Sequence, residues 1–327
     1  MITFTCNLCG TSNTVEAIPW ETPTCSSCGS NVRMRDLIYM LALELFGEAL
    51  PLPDFPQCND VKGFGMSDAL IYATLLAEKV NYTNTFYDRQ PYLDITETHP
   101  DEHGTYDFIL SSDVFEHVAP PIDRAFEEAF RLLKPNGFLC VTVPSSHLAD
   151  DTVEHYPDLH QYSVVDLAGE HVLINRRADK TLEIHGNLDF HGGIGATLVM
   201  RLFSMKDLER RLRAAGFTEV AFQVEPVERL GIAFEGPWSR PFVARKQPFP
   251  KISASARSQN SERVSRAVRQ VEPAPGADSR LAHLYQEKAA LEERLEKVEA
   301  QLRLAAGSRW LKLGRSLGLG PNLEHTK

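Results

Sequence analysis

Four cysteines near the start of the chain are spaced like the ligands of a metal site. Cys6 and Cys9 form one pair, and Cys25 and Cys28 form a second pair after an interval of fifteen residues. Two such pairs are typical of zinc sites, and four thiolates fill a tetrahedral shell, which leaves no position open for catalysis. We therefore predict a structural zinc ribbon over residues 1–32. The alternative is four free, buried cysteines.

A glycine pair and a downstream acid form a second group that could take part in chemistry. Gly63 and Gly65 are expected between a strand and a helix, where glycine lets the backbone approach a cofactor at the helix N-terminus. Asp88 follows Gly65 by 23 residues, near the offset at which Rossmann folds place an acid on ribose hydroxyls. The pattern favours a cofactor turn, although a plain tight turn would use the same glycines.

Three further segments carry a family resemblance. They read DFILSSDVFEHV from Asp107, RLLKPNGF from Arg131 and VTVP from Val141. Together they resemble class I S-adenosylmethionine-dependent methyltransferases, and the resemblance extends over residues 60–245. It implies an enzyme that uses S-adenosylmethionine and has a Rossmann-like α/β fold.

The resemblance also implies which residues hold the cofactor: Gly63, Gly65, Asp88, Asp94, Ser112 and Asp113. The two glycines would bracket the methionine part, the first aspartate would bind the ribose, and the second would meet the adenine amine. The serine and the third aspartate would line the pocket. Two positions depart from the family pattern, since Lys62 stands where an acid is usual and Ser67 where a third glycine is usual.

Histidines are concentrated in one part of the chain, since seven of the eleven lie between residues 117 and 191. Methyl transfer to a hydroxyl group needs a base near the acceptor oxygen, and histidine suits that role near neutral pH. The predicted catalytic residues are His117, His155, His160 and His191. A surface or capping role is the alternative for each. In the family the Glu-His pair lies beside the cofactor, and Glu116 and His117 with a third group could instead hold a divalent metal ion.

Charge is distributed unevenly along the sequence. Residues 1–246 contain 20 Lys and Arg against 35 Asp and Glu, whereas residues 247–327 are net positive. An acidic body repels phosphate backbones, and residues 1–32 contain no Lys or Arg, so we expect no nucleic-acid partner. No run of 18 apolar residues and no signal-peptide pattern is present, which predicts a cytoplasmic location or a peripheral one at the inner face of the membrane.

Local patterns predict the elements that must position these residues. The predicted helices are 33–48, Ser67–Lys79 with Ser67 or Asp68 as N-cap, Ile122–Leu133, and a helix from the cap Ser204 to Gly216. The predicted strands are Asn84–Tyr87, Tyr106–Ser111, Phe138–Val143, Phe217–Val224 and Pro241–Arg245. Lys134–Gly137 is predicted to be a turn, and residues 145–200 are predicted to be irregular. Alternating strands and helices indicate an α/β fold with a mostly parallel sheet.

The remaining segments complete the predicted organisation of the chain. Residues 33–60 form a helix and connector, 61–246 the class I methyltransferase domain, and 247–280 a polar, disordered linker. Residues 281–306 carry apolar residues at heptad spacing and predict a C-terminal coiled-coil helix that makes a homo-oligomer. A basic tail, 307–327, would contact a membrane or a glycan-assembly complex.

These features together resemble bacterial enzymes that modify surface glycans. The sequence therefore predicts O-methylation of a sugar or glycan precursor in surface polysaccharide biosynthesis. Two alternatives remain at this stage. One is a zinc-bearing RNA methyltransferase, which the acidic body disfavours. The other is a non-catalytic scaffold with a methyltransferase fold, which the departures in the glycine motif favour.

Overall fold

The computed structural model describes residues 1–167, 169–191, 197–234, 236 and 239–252, which all belong to one unit of the chain, Met1–Ser261. Its helices are α1 (Val32–Phe46), α2 (Leu70–Lys79), α3 (Asp123–Leu132) and α4 (Met205–Ala215). Its strands are β1 (Ile2–Thr5), β2 (Ser12–Val15), β3 (Cys58–Met66), β4 (Val80–Thr85), β5 (Tyr106–Ser112), β6 (Leu133–Thr142), β7 (Ser145–Ser146), β8 (Val153–Glu154), β9 (Gln161–Leu167), β10 (Glu170–Arg176), β11 (Leu182–His185), β12 (Phe190–His191), β13 (Thr197–Leu198), β14 (Arg201–Ser204), β15 (Glu219–Phe222) and β16 (Phe242–Arg245). The predicted coiled coil and basic tail lie outside the described residues.

A six-stranded sheet positions the rest of the chain. Its strand order is β15-β16-β6-β5-β3-β4, with parallel pairing from β6 to β4 and antiparallel pairing of β16 and β15. The mostly parallel α/β sheet predicted from the sequence is therefore confirmed. Because the strands run parallel, the carboxyl ends of β3, β4, β5 and β6 meet along one edge, which is where α/β sheets bind ligands.

Helices cover both faces of this sheet. Side chains alternate along a strand, so Phe108 and Leu110 of β5 face the core beneath α1 and α2, whereas Ile109 faces the core beneath α3 and α4. All three side chains are fully buried. A strand buried on both faces reads as a continuous apolar run, which explains the sequence FIL.

The predicted ends of two helices are confirmed, and one is wrong. Gly47 ends α1 with φ of 73°, Ser204 caps α4 by accepting from the amide of Asp207, and Gly216 ends α4 with φ of 115°. However, α2 begins after Ala69 without a side-chain cap. Asp68 does not cap the helix because its carboxylate is buried against two tyrosines, described below.

Several predicted strand limits also need correction. The strand expected at Asn84–Tyr87 ends at Thr85, and the turn expected at Lys134–Gly137 is part of β6. Residues 145–200 are not irregular, since they include an antiparallel sheet of order β11-β10-β9 and four short strands. Residues 247–252, assigned to the linker by composition, pack on α1: Phe249 is buried against Phe138, and the amide of Ile252 donates to Leu45.

None of the helices among the described residues is both long and apolar enough to cross a membrane.

Candidate functional site

The four N-terminal cysteines converge as their spacing predicts. The sulfurs of Cys6 and Cys28 lie 3.7 Å apart, those of Cys9 and Cys25 lie 3.5 Å apart, and all four lie within 4.8 Å of one another. Two sulfurs on one tetrahedral zinc ion would lie about 3.8 Å apart, given Zn–S bonds of about 2.3 Å. The donor set and its geometry therefore fit zinc.

Glycines shape the two cysteine turns. Gly10 and Gly29 follow the second cysteine of each pair and have φ of 78° and 72°, a region that glycine adopts without strain. In these turns the amide of Gly10 donates to Cys6 and that of Gly29 donates to Cys25. The backbone thus wraps each pair of sulfurs tightly.

A buried arginine joins the cysteine module to the rest of the unit. Arg35 of α1 is fully buried, and its guanidinium donates to the carbonyls of Ser30 and Gly231 and to the hydroxyl of Thr24. The bond to Gly231 spans 196 residues of sequence. The cysteine module is therefore packed against the rest of the unit through buried hydrogen bonds.

The two motif glycines lie within β3 and not in a turn after it. A Cβ atom on Gly63 would come within 2.3 Å of the Phe108 ring, and one on Gly65 within 1.9 Å of the Asp68 carboxylate. Both glycines are thus required by close packing at the sheet. The turn itself is made by the next residues, and Ser67 adopts φ of 56° there.

Asp68 fixes this turn to the neighbouring strand. Its carboxylate accepts hydrogen bonds from the hydroxyls of Tyr72, at 2.8 Å, and Tyr82, at 2.5 Å. The side chain of Asn84 bonds both the amide and the carbonyl of Asp68. Burial raises the pKa of Asp68 to about 6, although the two tyrosines oppose that shift. No local sequence pattern predicts this network, because its partners come from α2 and β4.

The two predicted nucleotide-binding aspartates lie in the loop that follows β4, the strand whose last residue, Thr85, accepts from the amide of Ser67 in that turn. Asp88 is exposed in the loop after β4 and pairs with Arg89 at 3.5 Å. Asp94 lies further along the same loop, where its carboxylate accepts from the amide and hydroxyl of Thr96. This bonding is that of a turn residue.

Ser112 and Asp113 lie at the carboxyl end of β5, as predicted, and both contact α1. The guanidinium of Arg33 donates to the Ser112 hydroxyl and lies 3.0 Å from the Asp113 carboxylate. Arg33 also pairs with Glu21 at 3.0 Å. Burial lowers the pKa of Arg33, but Asp113 and Glu21 raise it overall, so this cation stays charged at the sheet edge. Sequence reasoning missed Arg33 because α1 precedes the recognised motifs.

Glu116, His117 and His191 form a group, here named the Glu-His cluster, just beyond Asp113. The Glu116 carboxylate lies 3.3 Å from Nδ1 of His191 and 3.6 Å from Nε2 of His117. The two imidazole rings stand perpendicular, with centroids 4.9 Å apart. The structure therefore unites two of the four predicted catalytic histidines, 74 residues apart in sequence, around one buried carboxylate.

The electrostatics of the Glu-His cluster follow from burial. Glu116 is fully buried, which raises its pKa to about 7. Burial lowers the pKa of His117, whereas the adjacent Glu116 carboxylate raises the pKa of His191. Nδ1 of His117 donates to the Leu198 carbonyl at 2.8 Å, so its Nε2 is the free acceptor atom.

Arg201 supports the backbone that carries the Glu-His cluster. It is fully buried, and Nη1 donates to the carbonyls of Phe115 and Val118, on either side of Glu116 and His117. Its Nε atom donates to Glu154 at 2.8 Å. No sequence motif marks Arg201, which directly follows the region predicted to be irregular.

The other two predicted histidines take different positions. The amide of His155 donates to the carbonyl of Met200, whose own amide donates to the carbonyl of Glu116, so the backbone of Met200 lies between His155 and Glu116. Nδ1 of His155 lies 3.1 Å from the Val199 carbonyl. His160 is exposed and lines a surface cavity beside the antiparallel sheet. Of the four candidate histidines, the structure thus brings His117 and His191 together and places His155 and His160 elsewhere.

A comparison with protein-family models identifies the family of this chain. The model described as a methyltransferase domain matches residues 55–221, just over half of the chain. The chain belongs to this methyltransferase family. It is an S-adenosylmethionine-dependent methyltransferase, as the resemblance of its motifs predicts. A search of curated protein sequences finds no match.

Solved structures show more distant likenesses. The chain is similar to the 1,6-didemethyltoxoflavin-N1-methyltransferase of Burkholderia thailandensis, with 15% identity, 66% of this chain and 78% of that chain covered, and a TM-score of 0.36. It is also similar to CalS10, an amino pentose methyltransferase from Micromonospora echinaspora, with 12% identity, 58% and 84% covered, and a TM-score of 0.34. A third is an S-adenosylmethionine-dependent methyltransferase from Clostridium acetobutylicum, with 10% identity, 64% and 89% covered, and a TM-score of 0.36.

Proposed function

We propose that this methyltransferase methylates a hydroxyl oxygen of a sugar or glycan precursor, as in surface polysaccharide biosynthesis. The observation that carries the proposal is the Glu-His cluster, which places two imidazoles and a carboxylate beside the carboxyl end of β5. An oxygen acceptor needs such groups more than an already basic nitrogen acceptor does, because a hydroxyl must lose its proton during attack.

The cofactor would bind along the edge where the parallel strands end. When bound, S-adenosylmethionine supplies an electrophilic methyl group. The proposed contacts are the β3 glycines and the turn after them, Asp88, Asp94, and the pair Ser112 and Asp113. Arg33 and Asp113 would hold the N-terminal segment against this edge and so exclude water from it.

The Glu-His cluster would then orient the acceptor and help to remove its hydroxyl proton. The acceptor oxygen attacks the methyl carbon as the C–S bond breaks, which gives the methyl ether and S-adenosylhomocysteine. The hydroxyl proton leaves through the cluster, whose open side is His191, with 40% of its side chain exposed. Most of the rate would come from positioning, with a smaller share from this proton transfer.

The charge of the chain supports a neutral acceptor. Residues 1–246 carry 15 more acidic than basic residues, which disfavours RNA as a substrate. A sugar hydroxyl carries no negative charge, so the acidic residues do not repel it. The acceptor proposed here is therefore a sugar-type small molecule, and RNA methylation becomes an outcome of the test.

Further proposals concern the modules outside the sheet. We propose that the four cysteines bind one structural zinc ion, because their sulfurs have the number and separation that zinc requires. The heptad pattern of residues 281–306 supports a homo-oligomer, and the basic segment 307–327 supports contact with a membrane or a glycan-assembly complex. A cytoplasmic or peripheral location accords with these proposals.

Transfer of a radiolabelled methyl group from S-adenosylmethionine would test the acceptor class. The panel should contain nucleotide sugars, lipid-linked sugars and bulk RNA at equal concentration of acceptor hydroxyls. Label is expected in one or more sugar acceptors. Label in RNA alone would refute the proposal, and bound cofactor without transfer to any acceptor would favour the scaffold alternative.

A further inference from the structure

The Glu116 carboxylate is buried with few partners for its charge. The residue has no exposed surface, the two imidazoles lie 3.3 Å and 3.6 Å away, and among the described residues neither carboxylate oxygen accepts a well-formed hydrogen bond. A buried carboxylate without partners is costly, so an unpaired one in a folded protein calls for a missing group such as an ion. Arg201 is a buried cation nearby, but it does not neutralise Glu116 because it is already paired with Glu154 at 2.8 Å.

The two histidines of the cluster supply the other donors of a metal site. Nε2 of His117, Nδ1 of His191 and a Glu116 oxygen lie within 4.8 Å of one another. Two ligands on one ion with bonds of about 2.1 Å would lie roughly 3.0–3.5 Å apart, and the carboxylate lies 3.3 Å and 3.6 Å from the two nitrogens. The cluster therefore needs only small side-chain adjustments to enclose an ion.

The surroundings also orient His117 for metal binding. Its Nδ1–H donates to the Leu198 carbonyl, which leaves the lone pair of Nε2 directed at the cluster. Metal-binding histidines generally bond through their other nitrogen in this way. The Glu116 carbonyl in turn accepts from the Met200 amide, and Arg201 bonds the carbonyls of Phe115 and Val118. The backbone that carries two of the three ligands is thus rigidly held.

We propose that Glu116, His117 and His191 bind one divalent transition-metal ion, separate from the four-cysteine site. Two imidazoles and one carboxylate suit first-row ions such as Fe²⁺, Co²⁺ and Zn²⁺, and three protein ligands leave coordination positions open. The cluster is reached from the side of His191, whose side chain is 40% exposed. On the proposed function, on which this last step rests, the ion would hold the acceptor oxygen and favour an acceptor with two adjacent hydroxyls. The ion would also lower the pKa of the bound hydroxyl, whose proton would then pass to solvent and not to a metal-bound imidazole.

Cobalt titration of protein whose cysteine site already carries zinc would test the site. Co²⁺ bound to thiolates gives an intense near-ultraviolet charge-transfer band, so d–d absorption without that band reports the Glu-His cluster. Wild-type protein is expected to bind one Co²⁺ ion per chain. Glu116→Gln and His191→Gln are each expected to weaken binding at least tenfold, whereas the control His99→Gln, at an exposed histidine, should bind as wild type does.

Two results would overturn the metal site: no cobalt binding by the wild-type protein, or the same affinity in wild type and both cluster variants. Circular dichroism and calorimetric S-adenosylmethionine binding on the same samples show whether each variant is folded. Methyl transfer to a sugar without cobalt binding would refute the metal site alone. Cobalt binding as expected without transfer to any sugar would refute the proposed acceptor alone.

Discussion

Asp68 places a buried titratable group in the turn that follows β3, and replacing it with Asn should change how stability depends on pH. The residue is 3% exposed, and burial raises its pKa from 3.8 to about 6. In the unfolded chain the same carboxyl group would titrate near its ordinary value. The folded state therefore binds a proton more tightly than the unfolded state.

The sign and size of the effect follow from that difference. Stability contributed by protonation of Asp68 is fully present below the unfolded pKa and is lost as pH rises through the folded value. A shift from 3.8 to about 6 corresponds to about 3 kcal/mol in all, of which about 1.4 kcal/mol should be lost between pH 5 and pH 8. The Asn side chain has nearly the same shape as that of Asp but does not titrate.

Urea unfolding of wild type and Asp68→Asn at a series of pH values measures this. The free energy of unfolding of wild type minus that of the variant should fall by about 1.4 kcal/mol from pH 5 to pH 8. Effects common to both proteins, including release of the proposed zinc ion at low pH, cancel in the difference. Asp60→Asn, at an exposed position of β3, supplies the background for removing a carboxylate. A difference that rises with pH, or that matches the Asp60 background, would refute the reasoning.

Three further predictions address the packing, the metal and the assembly. Gly63→Ala should lower the free energy of unfolding by about 1–3 kcal/mol in urea, because its Cβ would lie 2.3 Å from the Phe108 ring; unchanged stability would contradict the close packing. Cys25→Ser should lower zinc content by elemental analysis and the melting temperature with it, and full zinc content in the double variant Cys6→Ser/Cys25→Ser would exclude the four-cysteine site. By light scattering, full-length protein should be a dimer or trimer and the fragment 1–252 a smaller assembly that still binds S-adenosylmethionine; equal oligomeric states would rule out assembly through the heptads.

Local signals were sufficient where neighbouring residues determine the structure. The cysteine spacing predicts a cluster that the fold produces, because each pair closes within its own tight turn. Ser204 and Gly216 predict the ends of α4 for the same reason, since a cap bonds only to the adjacent turn. The apolar run of β5 predicts a strand buried on both faces.

Tertiary contacts decided the features that the sequence did not predict. Asp68 has the residue type and position of a helix cap, but its carboxylate instead accepts hydrogen bonds from tyrosine hydroxyls of α2 and β4. His191 reaches Glu116 only because β12 lies beside the turn after β5, and no spacing rule connects them. The strands β9 and β10 were missed because β9 is exposed along most of its length, so its sequence has no clear apolar alternation.

The Glu-His cluster is inferred to activate the acceptor and not to bind the cofactor. Steady-state methyl transfer to the best sugar acceptor by Glu116→Gln tests this directly when S-adenosylmethionine affinity is measured by calorimetry on the same protein. The value of kcat is expected to fall by about 10²–10⁴-fold while cofactor affinity stays within a factor of about three. Glu209→Gln, on the exposed side of α4, should match wild type in both measurements. An unchanged kcat in Glu116→Gln, or a loss of cofactor binding in the folded variant, would refute this role of the cluster.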